Sequence, residues 1–446
     1  MTILLLSLNI FNLFFFRKHW KKLFYLFLFF LPYLGYIQHK IKANTIFAPL
    51  IHDIVFLVPI FLFIIFDRKD LNFIPGDLKK LISLFFILLL VQFINPYNEI
   101  NFLGRLVGLK VWIFYFFMMA VGYHLILSKK DLKKFCNVFS IYAILPCLIG
   151  NMIYILYYIY GFQETLILFY GDYGSAAMAS QNFAQFDYGI FKYYRNPSTF
   201  SYSAQYLNFC LLALITTITS ISLSNSLNES KRYKLLLIFI IISAFFTGNR
   251  GSIVYLAIFF TIFSLQHYSL KNIKFVLPKL LFLIIVISFV YKNFSMIEEV
   301  ASLGQTYTLN TFFGNFSENM SNYFLGTGLG NATAGVRYIN QDFTAIMINE
   351  GLYWKVIVEL GVPGLIIFMC LFFNYIKQVR IIKIKLQNYE EKILCNCFYA
   401  YIVFQFIVGF KSWVYFEGYP ANFMFFLILG IILKLGTNQY IENSYD

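Results

Sequence analysis

Four arginines stand where an otherwise apolar chain has little reason to carry charge: Arg105 in NFLGRLVGLK, Arg195 in KYYRNPSTFSYS, Arg250 in FFTGNRGSIVY and Arg337 in AGVRYINQDF. Lys110 follows Arg105 inside the same apolar run. Burying a cation in a bilayer is costly, so such residues mark functional sites by default. A guanidinium presents a planar fork of donors that matches phosphate bidentately. Several of them gathered at one membrane face would hold a lipid diphosphate. Taken singly, each could equally snorkel to headgroups or pair with a carboxylate.

Arg250 has the strongest local mechanism. TGNRG interrupts two apolar runs, so the chain must turn there, and Gly248 and Gly251 allow the turn. A helix starting after it leaves free N–H groups that can face an anion. Carboxylates expected near the same face are few: Asp172, Asp187, Glu318, Asp342, Glu350, Glu359 and Glu417. Transfer to a hydroxyl needs an acceptor for its proton. Glu350 and Asp342, close in sequence to Arg337, are the candidates, with an ion pair to that arginine as the plainer reading. The run from Gly326 to Asn331 (GTGLGN) imitates a phosphate loop, but no G-x-x-x-x-G-K-[ST] and no βαβ context accompany it. It reads as a flexible turn, and no nucleotide site is expected.

The elements that must position these residues follow from composition. Of 446 residues, 60% are hydrophobic, 21% aromatic and only 13% charged. Soluble domains carry about 25% charge, so this chain lacks a polar coat and reads as an all-α polytopic membrane protein. The six cysteines form no C-x-x-C pair and the five histidines no H-x-x-x-H. They read as packing residues, so no metal and no cofactor are expected. The net charge of +14 is first a topological signal in such a chain and not a nucleic-acid one.

A membrane span needs about 20 mostly apolar residues. Candidates fall near 1–16, 23–37, 46–66, 81–95, 106–127, 135–160, 201–224, 235–248, 252–267, 275–291, 346–374, 393–410 and 421–436. That makes twelve to fourteen transmembrane helices, thirteen favoured, in one integral membrane domain over 1–446. The count places 17–22, 67–80, 128–134, 225–234, 268–279, 375–392 and the C-terminus on one side. Those segments hold about two thirds of the 35 basic residues and are therefore assigned to the cytoplasm. Two long loops, 161–200 and 292–345, fall outside. Loops of that length are usually functional or disordered.

Three stretches resemble the bacterial O-antigen polymerase and O-antigen ligase superfamily. RNPSTFSYSAQ, from Arg195 to Gln205, is similar to an arginine-bearing segment that leads into a span. FTGNRGS, from Phe246 to Ser252, is similar to a T-G-S-R-G turn. The third is LGTGLGN followed by INEGLYWKVIVELGVPGLIIF, where E-x-G-x-P-G opens a span. Ile348 stands where the ligases have a histidine before Asn349, and Leu303-Gly304-Gln305-Thr306 replaces an expected arginine. The missing histidine favours the polymerase branch over the ligase.

The resemblance implies a fold similar to GT-C-type membrane glycosyltransferases, in the bacterial cytoplasmic membrane, with the active site facing the periplasm or exterior. It implies a metal-independent polymerase of lipid-linked repeat units of O-antigen, capsule or exopolysaccharide. The partners would be an undecaprenyl-diphosphate-linked oligosaccharide donor and acceptor, membrane lipids and a chain-length regulator, with no nucleic acid. Arg195, Arg250, Arg337 and Glu350 would be catalytic; Arg105, Lys110, Tyr194, Asn340, Asp342 and Asn349 would bind substrate. Ligation of finished glycan to a lipid or protein acceptor, and flipping of lipid-linked oligosaccharide, are the alternatives.

Overall fold

The computed structural model describes residues 19–40, 53–66, 73–180, 182–187, 192–249, 252–267, 322–333, 336, 351–410 and 418–437. They are about 79% helical. Five helical stretches are long and apolar enough to cross a membrane: Phe102–Leu125, Lys129–Tyr160, Ser203–Ser222, Leu352–Lys385 and Tyr389–Val408. The chain is a helical membrane protein. The expected spans 1–16 and 275–291 lie outside the described residues, as does most of the loop 292–345.

In chain order, α1 (Trp20–Phe30) and α2 (Leu34–Lys40) flank a 3-10 turn at Pro32 and together match the span expected at 23–37. A π-helical turn, Asp53–Leu57, runs into α3 (Val58–Phe66). Next come α4 (Gly76–Phe93) and α5 (Phe102–Ile113), which a 3-10 turn joins to α6 (Phe117–Leu125). Helices α7 (Lys129–Tyr142) and α8 (Ile144–Tyr160) follow. After a folded layer described below come α11 (Ser203–Ser222), α12 (Leu227–Phe245) and α13 (Ser252–His267). The chain is described again as α14 (Leu352–Lys385), α15 (Tyr389–Val408) and α16 (Ala421–Leu435).

Helix association in lipid cannot rely on hydrophobic transfer between helices, so small residues and interhelical hydrogen bonds carry it. Both devices are present. Helices α6 and α16 pack through reciprocal glycines: Gly122 leaves no room for a Cβ beside the Leu427 carbonyl, nor Gly430 beside that of Met119. Helix α11 packs on α7, α12, α15 and α16. Its Asn208 accepts from Tyr401 Oη at 2.7 Å and Gln405 Nε2 at 3.3 Å on α15. Its Thr216 accepts from Ser140 on α7 at 3.2 Å.

Segments that the charge bias places on one side also touch one another. Lys21 pairs with Asp131 (3.8 Å), Lys129 with Glu390 (3.4 Å), Lys133 with Glu229 (3.0 Å) and Lys377 with Asp77 (3.5 Å). All eight residues fall in segments assigned to the cytoplasm.

The expectation of a loop at 161–200 is corrected. This stretch folds into α9 (Phe162–Tyr170), α10 (Tyr173–Ser180) and a short antiparallel pair, β1 (Gln185–Asp187) with β2 (Lys192–Tyr194), in the register Gln185–Tyr194. Apart from this pair no strand occurs among the described residues. The helices form because Phe162, Leu166 and Tyr170 line one face, which is buried with Tyr157, Ala176, Ala179 and Phe183. Gly161 (φ 94°) and Gly171 (φ 89°) bound α9 in conformations that other residues rarely adopt. Such short helices are invisible to a search tuned to membrane-length apolar runs.

Candidate functional site

The segment that carries Arg195 is a polar insertion into the bundle. Residues 196–200 are buried, and their polar groups are tied to helices distant in sequence. Asn196 Nδ2 donates to the Gly150 carbonyl (2.7 Å), Ser198 Oγ to that of Pro146 (2.7 Å) and Thr199 Oγ1 to that of Pro32 (2.7 Å). The Tyr36 N–H, one turn on from Pro32, donates to the Thr199 carbonyl at 2.9 Å, and the Thr199 hydroxyl takes the Pro32 carbonyl in its place. Tyr170 Oη completes the set by donating to the Ser198 and Phe200 carbonyls.

The TGNRG turn closes over this segment. Asn196 N–H donates to the Thr247 carbonyl at 3.0 Å. Gly248 (φ 67°) backs onto the main chain of Tyr194 and Arg195. Two stretches singled out separately in the sequence are thus one packed unit, with Arg195 half-buried on it and Arg195 N–H bonded to the Ala184 carbonyl at 3.2 Å. The Tyr194 ring packs among Tyr157 (5.7 Å), Tyr158 (5.8 Å) and Phe162 (4.8 Å). It serves the aromatic cluster beneath the arginine.

A second unit forms around the glycine run. The expectation of a flexible turn is corrected: residues 328–333 are buried. Gly326, Gly328 and Gly330 all have positive φ (79°, 99° and 97°), and each approaches another main or side chain too closely for a Cβ. Gly330 abuts Gly104 and Gly108 of α5, while Gly326 abuts Gly361. The N–H groups that would cradle a phosphate face the protein instead. Thr327 N–H donates to the Val358 carbonyl (2.7 Å), Gly328 N–H to that of Glu359 (3.3 Å) and Leu329 N–H to that of Gln92 (3.4 Å). Asn95 Nδ2 and Asn98 Nδ2 donate to the Gly326 and Leu329 carbonyls, and Asn331 Nδ2 donates to Asn98 Oδ1 at 3.0 Å.

Helix α14 is broken where this loop docks. Gly361 adopts φ 74°, and Val362 N–H donates to the Phe324 carbonyl at 2.9 Å. Pro363 then sits in the first turn of the new helix, where its missing N–H is harmless. E-L-G-V-P-G opens the helical stretch 362–385, and a buried helical segment, 352–360, precedes it. No family model matches the chain, and no curated protein matches it. The polymerase–ligase resemblance therefore rests on the motif residues themselves.

Of the candidate residues, Arg105 and Lys110 sit on α5 with structural partners. Arg105 Nε donates to the Ile100 carbonyl (2.8 Å), Nη1 to those of Phe93 (3.3 Å) and Asn95 (3.4 Å), and Nη2 to that of Asn98. A cation at the C-terminal end of α4 answers both the free carbonyls and the helix dipole. Lys110 forms an ion pair with Asp53. Arg250, Arg337, Asn340, Asp342, Asn349 and Glu350 lie outside the described residues.

Two residues not chosen as catalytic or binding candidates form a buried charged pair. Lys355 and Glu359, one turn apart on 352–360, have side chains only 2% and 0% exposed. Charge in such a place is retained only when fully partnered. The available signal was their i,i+4 spacing inside an apolar run.

Proposed function

We propose that the protein is a membrane polymerase of lipid-linked oligosaccharide repeat units, of O-antigen, capsule or exopolysaccharide type. The observation that carries the reading is pairwise docking of the motif stretches: the Arg195 segment on the TGNRG turn, and the glycine run on the E-L-G-V-P-G turn. Two of the three stretches that resemble one superfamily meet in space, and the two parts of the third dock on each other.

In this reading thirteen spans in a GT-C-like arrangement place the site at the outer face of a bacterial cytoplasmic membrane. The four ion pairs among segments assigned to the opposite side favour that topology. The bond from the donor sugar's anomeric carbon to its undecaprenyl diphosphate oxygen breaks as the terminal hydroxyl of another lipid-linked repeat attacks. Its oxygen forms the new glycosidic bond, and its proton passes to Glu350 or Asp342. Undecaprenyl diphosphate leaves, and Arg195, Arg250 and Arg337 stabilise the charge gathering on it.

Purified protein in vesicles given preassembled lipid-linked repeats should produce a ladder of lengthening products. Alanine at each of the three arginines should abolish the ladder while the protein remains folded. Normal ladders from all three variants would overturn the reading. Loss of glycan attachment with chain length retained would favour the ligase, and an effect on translocation alone would favour a flippase.

A further inference from the structure

The segment 352–360 is buried along its whole length, and the chain leaves it at Gly361 before the membrane-length stretch 362–385 begins. Discontinuous helices inside membrane bundles are where charged groups and the loops that answer them are concentrated. Here the charged groups are Lys355 and Glu359.

The Glu359 carboxylate accepts from two separate parts of the chain. Trp112 Nε1 on α5 donates to Oε2 at 2.6 Å. The Ala332 N–H (3.0 Å) and Thr333 Oγ1 (2.8 Å), at the end of the glycine run, donate to Oε1. Lys355 Nζ lies 4.0 Å from Oε1, donates to Thr333 Oγ1 at 2.9 Å and sits 5.4 Å from the centre of the Trp112 ring. Both carboxyl oxygens thus face donors. A glutamine could satisfy one side only, because its own N–H₂ would oppose the Trp112 N–H or the loop. The geometry specifies a carboxylate, with the lysine as its counter-charge.

We infer that Glu359 is a positioning residue. Its carboxylate, balanced by Lys355, clamps the glycine run between α5 and the half-helix 352–360. It thereby fixes the point from which the chain runs on to Arg337. The relevance of the clamp to glycosyl transfer rests on the polymerase reading; the clamp itself does not. Its side chain never touches substrate in this role. It acts through the loop, whose Leu329 is fully buried and whose glycines seat against Gly104, Gly108 and Gly361.

The test uses the full-length protein in detergent, with exposed Cys370 replaced by serine and Leu329→Cys as a buried reporter. Maleimide labelling of that thiol should be slow in this parent and at least about tenfold faster in Glu359→Gln, where donors lose their acceptor. Trp112→Phe, a milder change that removes one donor, should accelerate it by a smaller factor while the protein stays monodisperse. The double variant Trp112→Phe/Glu359→Gln should label more slowly than Glu359→Gln alone, since the donor that the amide opposes is gone. General damage would instead add. Parent-like labelling of Glu359→Gln overturns the clamp, and so does a simply additive double variant. Ladder formation is read in parallel. Loss of the ladder with unchanged labelling would make Glu359 a chemical participant and overturn the positioning role. A parent that makes no ladder at all overturns the polymerase reading, while the labelling still decides the clamp.

Discussion

Gly248 lies against the carbonyl of Tyr194, and a Cβ built on it would fall 2.6 Å from the Arg195 Cα. The turn that leads to Arg250 and the segment that carries Arg195 therefore meet main chain to main chain, at a residue whose φ of 67° already disfavours a side chain. Gly248→Ala should be destabilised by about 1–2 kcal/mol from the left-handed conformation alone, with the overlap adding to that. Thermal unfolding in detergent and ladder formation should fall together. An unchanged unfolding temperature would show that the two segments are not packed this way.

Much of the architecture was legible because a span must be a long apolar run, and 203–222 and 389–408 are such runs. The motif stretches were legible too, but not their docking. Gly330 meets Gly104 and Gly108, and Trp112 meets Glu359, across more than two hundred residues that the sequence gives no means of folding together. Arg105 illustrates the same limit. Its charge in an apolar run stands out at once, yet the four carbonyls that surround it belong to a turn whose shape is set by the fold.

Arg105 supports a prediction of its own. Four main-chain carbonyls around one guanidinium give it the work of closing the turn between α4 and α5. A lysine cannot reproduce that fork. Arg105→Lys should lose about 1–3 kcal/mol of stability with little change in KM for the lipid-linked donor per folded molecule. A tenfold rise in KM at unchanged stability would instead make it an anion ligand.

The face assigned to the cytoplasm should respond to acid through Glu229. Burial pushes this carboxyl up, but the Asn225 N–H and Lys133 outweigh it and hold it below its ordinary 4.5. A depressed carboxylate contributes stability that is fully present above the unfolded-state value and is lost as pH falls through the folded-state value. Wild-type protein should therefore lose unfolding temperature between about pH 5 and about pH 3. Glu229→Gln should begin lower near neutrality and lose less over that range. Parallel curves for the two proteins would rule out this contribution.

The buried bonds between α11 and α15 allow a cleaner separation of donor from acceptor. Asn208 Oδ1 takes hydrogen bonds from Tyr401 and Gln405, and Tyr401 is fully buried. Asn208→Leu leaves the tyrosine hydroxyl without this acceptor in apolar surroundings, a loss of about 1–3 kcal/mol. Tyr401→Phe alone removes a bond worth nearer 1 kcal/mol in a membrane bundle. Adding Tyr401→Phe to Asn208→Leu should recover part of the lost stability, because the stranded donor disappears with it. Unfolding temperatures for the two single variants and the double variant measure the coupling. Additive losses would mean that the Asn208–Tyr401 bond does not hold these helices together.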